Sequence, residues 1–206
     1  MGEENIFIGR QPIMKDASKK YAYELLFRSS STGKMDFKNN LHATSRVVSS
    51  VINHFTLKEL TGNLPAFINI DHTILGRNFI SLLPKEKYVL ELLESTQVNQ
   101  KTLNKIEELH KLGYRFAIDD FDFSQPMIEK FRPLLKFVEI IKIDIPTVDQ
   151  DKLYRYMDED NRKHTLLAEK IENVEEYEIC RDLGFDLYQG YFFHKPELLR
   201  KRVIEP

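Results

Sequence analysis

Apolar residues in this chain come in short unbroken runs, and between the runs lie stretches whose apolar positions recur every three or four residues. The runs cover residues 6–14, 21–28, 66–70, 88–94, 115–121, 137–145, 165–169 and 187–193, lengths that suit strands. A run apolar on both faces predicts a strand covered on both sides, as in a parallel sheet. The intervening stretches predict helices. One begins at Asn39 or Asn40 as N-cap and places Leu41, Val48, Ile52 and Phe55 on one stripe; a short one lies around residues 75–83. Residues 98–112 form the clearest amphipathic pattern, with Leu103, Ile106 and Leu109 on its apolar face. Further helices are predicted over residues 126–135, 147–158 and 173–183. Gly113 and Gly184 follow two of these where a left-handed cap is wanted. The first two runs have only a turn near Lys15 and Asp16 between them, so that pair is expected to be antiparallel. About eight strands alternating with helices predict an α/β fold, a (β/α)8 TIM-like barrel with one strand near the N-terminus antiparallel. An open doubly wound sheet is the alternative, but no glycine-rich phosphate loop follows an early strand.

Polar residues change the picture because of where they fall. Every run after the first carries one at or near its C-terminal end: Glu24, Asn69, Glu91, Asp119 with Asp120, Lys142, Glu169 and Gln189. In a barrel these ends converge on one face, the face where barrel enzymes place their chemistry. Adjacent strand residues point to opposite sides, so Asp119 and Asp120 share a site only if the chain is already turning there. The pair could instead cap the next helix. Five carboxylates with an amide make an oxygen-rich site suited to Mg²⁺ or Mn²⁺, and the six histidines show no metal-ligand spacing. Two adjacent aspartates could serve two ions that activate water against a phosphodiester, with Lys142 holding the water or neutralising phosphate charge. Lys142 could alternatively form a Schiff base, as in an aldolase, which would leave the surplus carboxylates idle.

Composition narrows the class. A chain of 206 residues with 42% hydrophobic content suits a single domain over residues 1–206. Lys and Arg total 30 against 32 Asp and Glu, with the signs interleaved, so no footprint for DNA or RNA is expected. Arg200-Lys201-Arg202 is the longest basic run and is expected as a solvated helix end. The single cysteine, Cys180, falls on an apolar helical face with Val174, Tyr177 and Leu183 and is expected to pack. No secretory signal and no stretch long enough to span a membrane is evident, so a cytoplasmic location without membrane attachment is expected.

Taken in order, Tyr23-Glu24-Leu25-Leu26-Phe27-Arg28, Asn69, Glu91-Leu92-Leu93-Glu94, Asp119-Asp120-Phe121, Lys142-Ile143-Asp144, Ala168-Glu169-Lys170-Ile171-Glu172 and Gln189-Gly190-Tyr191 resemble the EAL domain family of bacterial cyclic di-GMP phosphodiesterases. Gly9-Arg10-Gln11-Pro12-Ile13 is most similar to the branch in which this domain precedes an HDOD domain, so the chain could be the N-terminal part of a longer protein. The resemblance implies hydrolysis of cyclic di-GMP to linear pGpG. It implies metal ligation by Glu24, Asn69, Glu91, Asp119 and Asp120, with Lys142, Glu169 and Gln189 in catalysis. Gln11, Arg28 and Pro196 would meet the ligand, and Glu94 and Glu172 would stabilise loops. Two Mg²⁺ or Mn²⁺ ions are implied, and the partners are cyclic di-GMP, an HDOD domain and a second copy in a homodimer. The chain departs from the family at Leu25, Asp71 and Lys170, and in Asp122-Phe123-Ser124-Gln125-Pro126, where a glycine-rich loop is usual. A left-handed Asp122 and an extended Gln125 before Pro126 are expected to loosen the second ion and slow turnover. A catalytically silent receptor for the nucleotide, or a protein-interaction module, is the alternative.

Overall fold

In the computed structural model, residues 3–27, 54–70, 75, 78–157 and 163–204 are described. The expected helix after Asn39 or Asn40, together with Arg28 and Asp71, lies outside them. β1 (Glu3–Met14) and β2 (Lys20–Phe27) form an antiparallel hairpin. Asp16 fixes its turn, its Oδ1 accepting from the backbone N–H groups of Ser18 and Lys19. A short helix, α1 (Leu57–Thr61), leads into β3 (Ala66–Ile70), followed by a 3₁₀ turn (Asn78–Leu82) and β4 (Tyr88–Leu92). Then come α2 (Gln100–Lys111), β5 (Arg115–Ile118), α3 (Gln125–Phe131), a 3₁₀ turn (Leu135–Phe137), β6 (Ile140–Asp144), α4 (Gln150–Met157), β7 (Thr165–Glu169), α5 (Val174–Asp182), β8 (Leu187–Tyr188) and β9 (Glu197–Ile204).

Strands β2 to β8 are parallel and in sequence order, and β1 closes the sheet by pairing antiparallel with β8 on one side and β2 on the other. The expected barrel with one reversed N-terminal strand is therefore present. β9 is bonded outside the barrel, antiparallel to β1. Arg200-Lys201-Arg202 thus lies in a strand and not at a helix end: β1 is longer than the barrel needs, and its free outer length recruits a partner. Capping explains the helix starts: Asn99, Ser124 and Asn173 each accept a backbone N–H through the side chain. Gly113, with φ +95, follows α2 as expected. Cys180 is buried on α5 beside Tyr177, although Val174 is exposed.

Side-chain alternation builds two cores. Between barrel and helices lies a large apolar layer that includes Leu25, Ile68, Leu90, Phe116, Ile141 and Leu166. Inside the barrel sits a separate plug of one residue from each barrel strand: Ile13, Ala22, Phe67, Val89, Ala117, Ile140, Leu167 and Leu187. The plug sets the floor of the candidate site.

Candidate metal centre

Two residues beyond each plug residue, on the same face of the strand, stands a polar one. In chain order these are Gln11, Glu24, Asn69, Glu91, Asp119, Lys142, Glu169 and Gln189, with Gln11 two positions before Ile13 because β1 runs the other way. Strand pairing sets Asn69 beside Glu91, and the barrel brings all eight together. Lys142 is at the centre. Its Nζ lies 2.6 Å from Asp119 Oδ1, 2.7 Å from Glu91 Oε1, 3.0 Å from Glu169 Oε1 and 3.8 Å from Glu24 Oε1, and the side chain is 1% exposed. Gln189 Nε2 donates to Glu24 Oε2 at 2.7 Å, and Gln11 Nε2 donates to the carbonyl of His194 at 3.1 Å.

One ammonium cannot satisfy four carboxylates. Burial raises the Glu91 carboxyl well above the ordinary range, Lys142 opposing and Glu24 and Asp119 adding to the shift. Burial likewise carries Glu169 up to about 8. Desolvation alone would lower Lys142, but the surrounding carboxylates outweigh it and hold the amine charged. Acceptors remain in surplus: Asn69 Oδ1, both Glu91 oxygens, Glu169 Oε2 and Gln189 Oε1 are buried without a hydrogen-bond partner. The Glu91 contact to Lys142 is short in distance but lacks hydrogen-bond geometry. Such a surplus of buried oxygens is what a bound cation would relieve. Oxygens of Asp119, Asp120 and Glu169 also lie within 4.8 Å of one another. The donor set is all oxygen and fits a hard divalent cation.

The turn at Asp119-Asp120 is real. β5 ends at Ile118, Asp119 N–H donates to the Leu92 carbonyl, and Asp120 takes φ +45. Burial and the Asp119 charge raise the Asp120 carboxyl, and Lys170 opposes them. The following loop departs from expectation. Its left-handed residue is Phe123, at φ +54, while Asp122 accepts from the Ser124 N–H. Gln125 is helical, because Ser124 takes the extended N-cap position and Pro126 falls in the first turn of α3, where its missing N–H costs nothing. The left-handed position is thus Phe123 and not Asp122, and the extended one Ser124 and not Gln125.

Other expected residues are spread more widely. Pro196 is half-buried just before β9. Glu94 is exposed, and its backbone carbonyl, not its carboxylate, accepts from Lys130. Glu172 is exposed, with its N–H donating to Glu176. Two residues had no role assigned from the sequence: Asp144 and Lys170 form an ion pair at the rim, and Lys170 Nζ is 3.6 Å from Asp120 Oδ1. Asp144 was findable, since it is two positions beyond Lys142 on the same strand face. Gly190 is required by close approach: a Cβ there would lie 2.0 Å from the Ile171 carbonyl oxygen, across the contact that ties the end of β7 to Gln189.

The EAL domain family profile matches residues 5–196. The chain is 32% identical over 204 residues to the cyclic di-GMP phosphodiesterase CdgJ of Vibrio cholerae, covering 97% of this chain and 46% of that protein. It is 30% identical over 196 residues to YuxH of Bacillus subtilis, covering 94% and 48%. It thus spans about half the length of these curated relatives. Among solved structures, the EAL domain protein of Listeria monocytogenes aligns with a TM-score of 0.70 at 21% identity, covering 93% of this chain and 88% of that one. The manganese and cy-diGMP complex of Klebsiella pneumoniae BlrP1 aligns at 0.72 with 18% identity, covering 99% and 63%. With the barrel, the ring of polar residues above its plug and the family match over nearly the whole chain, this protein belongs to the EAL domain family.

Proposed function

We propose that this domain is a metal-dependent phosphodiesterase that opens cyclic di-GMP to linear pGpG. The observation that carries the reading is the surplus of buried, unpartnered oxygens around Lys142 at the C-terminal mouth of the barrel. The name of CdgJ, and the complexes of related structures with cyclic di-GMP, supply the substrate class. Glu24, Asn69, Glu91 and Asp119 would hold a first Mg²⁺ or Mn²⁺, and Asp120 with Asp119 and Glu169 a second. Bound there, the ions supply Lewis acidity and a more acidic water. Lys142 keeps its charge and orients the attacking water or screens the phosphate. Glu169 offers Oε2 to the water's proton, and Gln189, held by Glu24, offers Oε1. Water adds at phosphorus, the P–O3′ bond breaks, and the 3′-oxygen leaves with a proton. Gln11, Arg28 and Pro196 are proposed to meet the nucleotide, Arg28 through a bidentate pair with a phosphate.

The test is incubation with cyclic di-GMP and Mg²⁺ or Mn²⁺, with products separated by chromatography. Linear pGpG is expected, and Asp119→Asn should weaken metal binding in calorimetry and reduce product while leaving the fold intact. Tight nucleotide binding without product under either metal would replace this reading with that of a receptor. Absence of metal binding would remove the metal centre altogether.

A further inference from the structure

Lys170 follows Glu169 where β7 leaves the barrel, and its backbone is left-handed, at φ +58. A lysine rarely adopts that conformation. The turn is held from outside: Ile171 N–H donates to the Gln189 carbonyl at 3.1 Å, and Gly190 packs against the Ile171 backbone. The consequence is placement of a second ammonium at the mouth of the site. Lys170 Nζ hydrogen-bonds Asp144 Oδ2 and lies 3.6 Å from Asp120 Oδ1. These carboxylates form a rim above the inner ring. Asp144 stands two residues beyond Lys142 on β6, and Asp120 shares its cluster of close oxygens with Asp119 and Glu169. The rim has unmet capacity for positive charge, because Asp144 Oδ1 and Glu169 Oε2 are buried without a hydrogen-bond partner, and Glu169 as a whole is 8% exposed.

We propose that Lys170, anchored on Asp144, is a tethered counter-ion of this rim, competing with a divalent cation for Asp120, so that the second position fills weakly while the inner ring fills tightly. The proposal rests on the metal-centre reading above. It supplies, through a residue outside the loop at 122–126, a separate reason for a loose second ion. A lysine suits such competition. Its side chain is 57% exposed, so the ammonium can swing into solvent when a stronger cation arrives, at the cost of the pair with Asp144. Competition of this kind weakens the rim site without abolishing it.

The experiment is a Mn²⁺ titration followed by calorimetry and by the electron paramagnetic resonance signal of free Mn²⁺, with circular dichroism to confirm folding. The forms compared are the wild type, Lys170→Met, Lys170→Arg and, as a control for general charge, Lys105→Met on the surface of α2. Wild type is expected to bind one Mn²⁺ tightly and a second weakly. Lys170→Met should tighten the second phase by about tenfold or more, since it removes a positive charge beside the incoming ion. Lys170→Arg and Lys105→Met should both behave as wild type. Lys170→Gly, which suits the left-handed backbone, is the second charge-free variant should the methionine form not fold. An unchanged second phase in the charge-free variants, two equally tight sites in wild type, or equal tightening by Lys105→Met would overturn the role of Lys170. Absence of Mn²⁺ binding in every form would instead overturn the metal-centre reading on which it depends.

Discussion

Lys142 carries the electrostatics of this barrel: it is the only fully buried cation among the described residues, held by carboxylates from β2, β4 and β7 and by Asp119 just past the end of β5. Removing one partner of a buried charge network costs more than the network contributes, because the rest is left uncompensated. Lys142→Met is therefore expected to destabilise the metal-free protein by about 3 kcal/mol in urea denaturation. Mn²⁺ should recover more stability in the variant than in wild type, since a divalent ion then supplies the only positive charge in the ring. A variant as stable as wild type without metal would mean that Glu91 and Glu169 are already neutral and need no counter-ion. At Gly190 the argument is steric. The Cβ of Gly190→Ala would meet the Ile171 backbone at 2.0 Å, so a loss of about 3 kcal/mol and a displaced Gln189 are expected, read by melting and by Mn²⁺ affinity. The inner ring was legible in the sequence because a charge that ends an apolar run is conspicuous. Lys170 was not. It stood out only as a departure from the family pattern, and its role depends on a backbone sign, φ +58, that a lysine does not itself announce.

Among the elements, α2 and α5 were legible because their apolar periodicity and caps agree, whereas β9 was not. Residues 197–204 read Glu-Leu-Leu-Arg-Lys-Arg-Val-Ile, in which charged and apolar side chains fall in blocks and do not alternate, so no strand period is visible. What fixes β9 is non-local: the register against β1, the pair of Arg10 with Glu197 at 2.8 Å, and the pair of Lys201 with Glu59 at 2.8 Å. Glu59 also completes the capping box of α1, accepting from the Thr56 N–H while Thr56 Oγ1 accepts from the Glu59 N–H. The Lys201 hydrogen bond, followed by those of Thr56, lowers the Glu59 carboxyl from 4.5 to about 2. Its contribution to stability is thus full above pH 4.5 and is lost as pH falls through about 2. Glu59→Gln should flatten that part of the stability–pH curve and leave the neutral-to-alkaline limb unchanged. Thr56→Ala, losing the other half of the box, should cost about 1 kcal/mol at pH 7. A Glu59→Gln curve parallel to wild type from pH 5 to 2 would show that β9 is not tied to α1 through this carboxylate.

Across the whole molecule, alternation with period two couples the plug to the site. Every residue of the inner ring stands two positions from a plug residue, so the plug sets its height and spacing. The sequence announced eight runs and their polar ends; closure was harder to read, because β8 has only two residues and meets β1 at a single pair, Met14 with Tyr188. No local signal distinguishes so short a strand from the turn that follows it, and the expected run over residues 187–193 is mostly turn. Residues inside and outside the sheet should consequently differ in effect even when they matter equally for stability. Phe67, in the plug and fully buried, is bonded through its strand to Asn69; Ile106, on α2 and also fully buried, belongs to the outer layer. Truncating either leaves a cavity, with an expected loss of about 4 kcal/mol for Phe67→Ala and about 3 kcal/mol for Ile106→Ala. Only the first cavity lies beneath the ring. Phe67→Ala should weaken Mn²⁺ binding by about tenfold as Asn69 and its neighbours relax inward, whereas Ile106→Ala should leave affinity within about twofold of wild type. Calorimetry at a temperature where both variants are folded separates the outcomes. Equal weakening by the two would show that Mn²⁺ affinity follows global stability, and that the plug has no special hold on the metal centre.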